Sequence, residues 1–398
     1  MKEGWKIQTL GDVATFINGD RSTNYPSKKD YVIDGIPFVN AGNLIQSGLD
    51  HETLNLISQS KYDSLTQGKF VEGDILFCLR GTLGKHSIVQ NGLNGAIASS
   101  LVIIRTKDGF NNKYISYFLD YKQPFIERLN NGAAQPNIPA KTMKGFPILL
   151  PPNEKQQQSI VEYLDSAFAQ IDELKSNAEK QLAEARALFQ SALTQAMQPK
   201  PGWQEKKLKD IADVKGGKRV PKGYKLQSTK TNHPYIRVAD FNNYGTIEMS
   251  DIQYISDEIF EQIKNYTITD QDLYVSIAGT IGKTGIIPSE LNGANLTENA
   301  CKLVFKEDIN LRFVYLFTLS EIFKKQVEKA TKQASQPKLA LTRLAEVKMS
   351  VPSIIEQQQI VSCLDSLSNH VKELEEISRK AAAECEALKQ ALLRQIFE

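Results

Sequence analysis

Residues 157–165, Gln-Gln-Ser-Ile-Val-Glu-Tyr-Leu-Asp, come back two hundred positions later as Gln-Gln-Gln-Ile-Val-Ser-Cys-Leu-Asp at 357–365. Each copy follows prolines (Pro151-Pro152; Pro352) and starts a run of apolar positions spaced alternately four and three apart. In the first run the seam is Ile160, Leu164, Ile171, Leu174 and Leu188, with alanines between them. In the second it is Ile360, Leu364, Leu367, Val371, Leu374, Leu388 and Leu392. A heptad seam held for several turns predicts two long helices that supercoil on a partner. A helix that only covers its own domain would show a wider apolar stripe. Alanines on the first seam allow a partner to approach closely, most simply the equivalent second helix.

The rest of the chain repeats as well. Gly4-Trp5, Leu10, Asp12-Val13-Ala14 and Gly19 match Gly202-Trp203, Leu208, Asp210-Ile211-Ala212 and Gly217 at a shift of 198. At the same shift Asp74, Gly81-Thr82-Leu83-Gly84-Lys85 and Leu93-Asn94-Gly95-Ala96 match Asp272, Gly279-Thr280-Ile281-Gly282-Lys283 and Leu291-Asn292-Gly293-Ala294. Gln135-Pro136 matches Gln336-Pro337. The chain is a tandem duplication. Short β-rich runs such as Leu101-Val102-Ile103-Ile104 alternate with helical stretches near 113–129 and 311–329, so each repeat begins with a mixed α+β domain. The expected division is a globular domain at 1–153, a helix at 154–199, a second domain at 200–353 and a second helix at 354–398. The expected fold class is α+β, two similar mixed domains separated by two long helices; if the helices pack as an antiparallel coiled coil, a pseudo-two-fold axis relates the domains. A helix of that length spans roughly 65 Å, which suits a ruler.

The 398 residues carry a formal net charge of +2, a sum that hides its distribution. The globular segments carry +3 and +5, and each helical segment −3. Basic domains can contact phosphates, while Arg, Asn and Gln can read base edges; the alternative is an ordinary solvated surface. Four scattered cysteines form no zinc spacing, and no apolar run has the length of a membrane span. No signal-peptide core follows Met1-Lys2-Glu3. These features lead to the expectation of a cytoplasmic protein with no membrane partner.

Gly279-Thr280-Ile281-Gly282-Lys283-Thr284 resembles a phosphate loop, but Ile277 stands where its first glycine is required. A tight turn at a strand end is the better reading. Dinucleotide, methyl-donor, zinc-protease and serine-hydrolase motifs are all missing, and the four histidines occupy unmatched positions in the two copies. An active site or a metal site is not expected. The Gln-Pro loops leading to Asn137 and Lys338 are either proline-fixed turns or loops that read something different in each copy.

On these residues, and on Pro352–Asp365 in particular, the chain resembles the specificity subunits of type I restriction–modification systems over its whole length. One departure is Gln156, which stands where the second copy has Glu356. The resemblance implies two target-recognition domains, each reading half of a bipartite double-stranded DNA sequence. It also implies a coiled coil that spaces the halves and docks two methyltransferase subunits, with restriction subunits joining the assembly. Cofactors would belong to those partners: S-adenosylmethionine to the methyltransferase, ATP and magnesium to the restriction subunit. Candidate DNA contacts are Arg21, Lys28, Lys29, Arg80, Lys85, Asn137, Lys218, Arg219, Arg237, Lys283 and Lys338. Two rivals of other classes are a coiled-coil scaffold for proteins alone and a self-sufficient enzyme.

Overall fold

The structure is a computed structural model that describes residues 3–45, 48–90, 92–129, 137–306, 309–331 and 337–398. The chain packs as two compact units, one of Met1–Ala178 with Arg379–Glu398 and the other of Glu179–Ser378. These units cut across both long helices, Glu154–Ala196 and Ile354–Phe397, whereas the sequence reading divides the chain where the helices start. Among the described residues no helix is long and apolar enough to cross a membrane.

In the first unit an antiparallel sheet runs in the order His86–Ile88, Ile75–Cys78, Leu101–Thr106, Ala14–Asn18. Its central strands carry unbroken apolar runs, Ile75–Cys78 and residues 101–104, because both faces are covered there. Ile75, Phe77, Val102 and Ile104 join one core with the helix Asn112–Arg128, while Leu76, Cys78, Leu101 and Ile103 join another under a second, five-stranded sheet. The alternation follows the two-residue period of a strand. In the second sheet Ile36–Val39 runs parallel to Gly95–Ile97.

The second unit repeats this plan. Its first sheet is Ala212–Gly216, Ala300–Phe305, Asp272–Ser276, Thr284–Ile286, and its second contains the parallel pair Pro234–Ile236 and Ala294–Leu296. In both units the two ends of the globular segment pair as antiparallel strands, Lys6 opposite Leu150 and Gln204 opposite Val351. Each long helix therefore starts close to where its own domain began. In the second unit the Trp203 indole N–H donates to Glu356 at 3.1 Å, which gives the acidic residue of that copy a defined task.

Within each unit the helix segments run antiparallel. In the first, Val161 and Leu164 pack with Leu393 and Phe397, Lys389 pairs with Asp172 at 2.6 Å, and Cys385 lies against Ile171. In the second, Leu193 and Met197 pack with Leu364, and Arg186 pairs with Glu375 at 2.7 Å. These segments enter the domain cores as well as each other, so the stripe is wider than a bare heptad seam. Leu164, Ile171 and Leu364 are buried; Ile160, Ile360, Leu367, Val371, Leu374 and Leu392 are half-buried. Leu174, Leu188 and Leu388 correct the expected seam, for they are 64%, 60% and 49% exposed. An α-helix drifts about 20° per heptad from a 3.5-residue repeat. Contact with the domains then moves burial onto Leu193 and Leu393, which lie beside the expected seam.

Candidate nucleic-acid interface

Three chain segments meet at one end of the first unit's main sheet. Asn18 is paired with Val102 and Leu101 with Cys78, so Gly19-Asp20-Arg21, Ala98-Ser99-Ser100 and Leu79-Arg80 all emerge there. Asn137 forms a β-bridge with Arg80, and the Ile138 N–H donates to the Leu79 carbonyl at 3.0 Å. Arg21 reaches the Ser99 carbonyl at 3.4 Å. Arg21, Arg80 and Asn137, far apart in sequence, thus share one exposed rim.

Repeated residues shape this rim. A Cβ on Gly19 would stand 2.6 Å from the Ala98 carbonyl oxygen, and one on Gly217 would stand 2.1 Å from that of Thr297. Glycine alone permits that approach. Buried Asp20 accepts from the Ser22 N–H at 2.6 Å and the Thr66 N–H at 2.7 Å. Burial acts to raise its carboxyl, but these bonds hold it well below the ordinary carboxylate range. The loop that carries Arg21 is therefore tied down from beneath.

The second unit builds the same rim from different side chains. Gly216 is paired with Cys301 and Ser276 with Ala300, and Lys338 bridges to Ala278. The Leu339 N–H donates to the Ile277 carbonyl at 2.9 Å. Arg219 Nε donates to Glu298 Oε1 at 2.5 Å. Burial acts to raise the Glu298 carboxyl, but the bond and charge of Arg219, together with hydrogen bonds from Thr297 and its own main chain, leave the group lowered. Lys218 Nζ stands 5.6 Å from the centre of the Tyr266 ring. Beside Arg219 opens a pocket of about 520 Å³, lined by Tyr224, Tyr235, Arg237 and Asn299 among others. Lys338 is exposed at the edge.

Other candidates stand elsewhere. Lys28 and Lys29 lie on a 3-10 turn that leads into Tyr31–Val32, the edge strand of the second sheet. Lys85 faces a different space, a cleft of about 940 Å³ that also holds His86, Tyr117, Asp120, Asp172 and Lys389. Burial raises the Asp120 carboxyl there, against the opposing pull of His86. Lys283 is corrected: its ammonium donates to the main-chain carbonyl of Phe241, because the Gly279–Lys283 turn folds back over that segment. Arg237 is corrected too, since it brackets Asp240 at 2.5 Å and Asp251 at 3.0 Å. The glycine-rich stretches do form tight turns, with Gly279 and Gly282 at φ of 76° and 83°. Gln135, Pro136 and Gln336 lie outside the described residues. Sequence reading missed Ser99, Glu298 and Asn299, although Gly-x-Arg in both copies (19–21 and 217–219) was a usable signal. Among the described residues no cluster of His, Cys, Asp or Glu has the makings of a metal site.

A sequence model of the type I restriction modification DNA specificity domain matches residues 2–184 and 200–384, one match per repeat. The MjaVIII type I restriction enzyme specificity subunit of Methanocaldococcus jannaschii is 23% identical over 414 residues, covering 98% of this chain and 91% of that protein. The EcoBI specificity subunit of Escherichia coli is 21% identical, covering 99% and 86%. Two solved structures share the fold. One is a chain from a study of complex assembly and conformational transition of the type I R-M system, with TM-score 0.81, 17% identity and coverage of 100% and 98%. The other is the HsdS subunit from Thermoanaerobacter tengcongensis, with TM-score 0.59, 16% identity and coverage of 100% and 97%. With both repeats matched, the chain belongs to the type I restriction–modification specificity subunit family, whose members carry two target-recognition domains and supply DNA specificity rather than catalysis.

Proposed function

We propose that each rim reads one half of a bipartite double-stranded DNA target. One observation carries this reading: the same four-segment rim is built twice but edged differently, with Arg21, Arg80 and Asn137 in one unit and Arg219, Ala278 and Lys338 in the other. A common scaffold with unlike edges suits an asymmetric sequence. The domains at 1–153 and 200–353 supply the reading heads, and the helices at 154–199 and 354–398 set their spacing. Helices of 43 and 44 residues are each about 65 Å long.

In this reading the helices also dock two methyltransferase subunits, which bring S-adenosylmethionine and modify adenine. Restriction subunits using ATP and magnesium join the same cytoplasmic assembly, and this chain holds no cofactor itself. The modest positive charge of each domain fits phosphate contacts shared with those partners. The test is co-expression with the methyltransferase of the same system, followed by sequencing of methylated adenines. Replacing residues 1–153 by another domain of this type changes one half of the methylated motif and leaves the other. If both halves change, or if no bipartite motif emerges, the reading fails.

A further inference from the structure

Among the basic residues of the two rims, Arg21 and Arg219 are the pair that both copies place alike. Each stands two residues after a glycine that lets its loop close on the segment opposite. In the second unit that segment is held firmly. The Gly217 N–H donates to the Ala300 carbonyl at 3.0 Å, the Lys218 N–H to Leu296 at 2.8 Å, and the Tyr235 hydroxyl to the Lys218 carbonyl at 2.7 Å. Arg219 therefore rises from a rigid base.

Its guanidinium gives Nε to Glu298, and among the described residues its two terminal nitrogens have no hydrogen-bond partner, on a side chain that is 77% exposed. Neighbouring Arg237 has already committed Nε and Nη2 to Asp240, and Nη2 also to Asp251. Two parallel free donors match the O6 and N7 acceptors on the guanine edge. A phosphate would also take two donors, but the Glu298 carboxylate beside them repels an anion. A neutral base edge meets no such repulsion.

We infer that Arg219 reads a guanine in the half-site of the second unit and that Glu298 is its positioning residue. This rests on the reading of the rims as DNA-reading surfaces. The experiment uses the full chain assembled with its methyltransferase and duplexes varied one base pair at a time. The wild-type complex prefers G·C at one position of one half-site by roughly 5- to 150-fold. Arg219→Gln brings that preference close to one and leaves the other half-site unchanged, while the charge-keeping Arg219→Lys, which still has donors for O6 and N7 on a shorter reach, lowers it partway. Glu298→Gln lowers it partway while the salt dependence of binding stays as it was.

Equal weakening on every sequence by Arg219→Gln, with the salt slope reduced by about one, identifies a phosphate contact and overturns the assignment. So does an unaltered motif in Arg219→Gln, or lost preference at a base other than guanine. A wild-type complex that shows no bipartite motif defeats the underlying reading instead, before any variant is compared.

Discussion

The side-chain oxygen of Gln157 accepts a 2.8 Å hydrogen bond from the main-chain N–H of Asn111. Gln357 does the same for Asn310, also at 2.8 Å. Both asparagines cap the helix that lies on the main sheet. Each repeated glutamine, fully buried, thus fastens the start of a long helix to its own domain. Asp165 and Asp365 complete the attachment about two turns further along, pairing with Lys113 at 2.6 Å and Arg312 at 2.7 Å.

Gln357→Leu is therefore expected to destabilise the chain by about 1–3 kcal/mol, the cost of stranding buried polar groups. It removes the acceptor for Asn310 and the donor for the Pro352 carbonyl, 3.0 Å away. Denaturant unfolding of wild type and variant measures the difference, and an unchanged midpoint would contradict the attachment.

Glu346 accepts from Lys207 at 2.6 Å and Lys209 at 2.5 Å, and these bonds hold its carboxyl down to about 2 from the ordinary 4.5. A depressed carboxylate adds stability that is complete above the unfolded value and is lost as pH falls through the folded one. Glu346→Gln is thus expected to be less stable than wild type at neutral pH. The gap narrows between pH 4.5 and about 2, and it shrinks in high salt because the pair is exposed. Thermal melts across that pH range check the sign; a gap that widens on acidification is the opposite outcome.

Lys283 and Lys338 were equivalent candidates as residues in a sequence, and the fold separates them. Lys283→Met is expected to cost about 1–3 kcal/mol of stability, since Phe241 loses a charged donor, and to leave the salt slope of DNA binding unchanged. Lys338→Met has the reverse profile: stability holds, while the slope falls by about one. Melting curves and salt titrations on the methyltransferase-bound complex distinguish the two.

That contrast marks the limit of what the chain discloses by itself. The duplication was legible because Gly19 and Gly217 answer to backbone clearance and Gln157 and Gln357 to a buried main-chain N–H, so each copy needs the same residue. The two long helices were legible from spacing, though not the direction in which their segments pack. The capture of Lys283 by a carbonyl 42 residues earlier, and the meeting of Arg80 with Asn137, depend on tertiary approach and leave no local periodicity. The seam drifted for a related reason. A heptad template assumes one neighbour, whereas these helix segments face both a partner segment and a domain core, and Leu174, Leu188 and Leu388 are left exposed.

Those three leucines give a further prediction. Single changes to serine at exposed sites are expected to move stability by no more than about 0.5 kcal/mol. If the helices dock the methyltransferase through them, Leu174→Ser with Leu388→Ser weakens assembly while the melting temperature holds. Size-exclusion analysis of the mixed subunits reads this out, and undiminished assembly assigns docking to another face.

The ruler reading can be tested through the way both units draw on both helices. Lengthening one helix alone would slide half of it out of register with Arg186–Glu375 or Asp172–Lys389 and damage a unit. Seven residues inserted after Ala178 and seven after Ser378, at the boundaries between the units, leave every pairing within each unit intact. Seven residues turn an α-helix through nearly two full turns, within about 20°, and add about 10.5 Å. That length corresponds to roughly three base pairs of duplex. The methylated motif is then expected to keep both half-sequences and gain about three base pairs of spacer. If the spacer stays the same in a complex that still methylates, the helices do not set it.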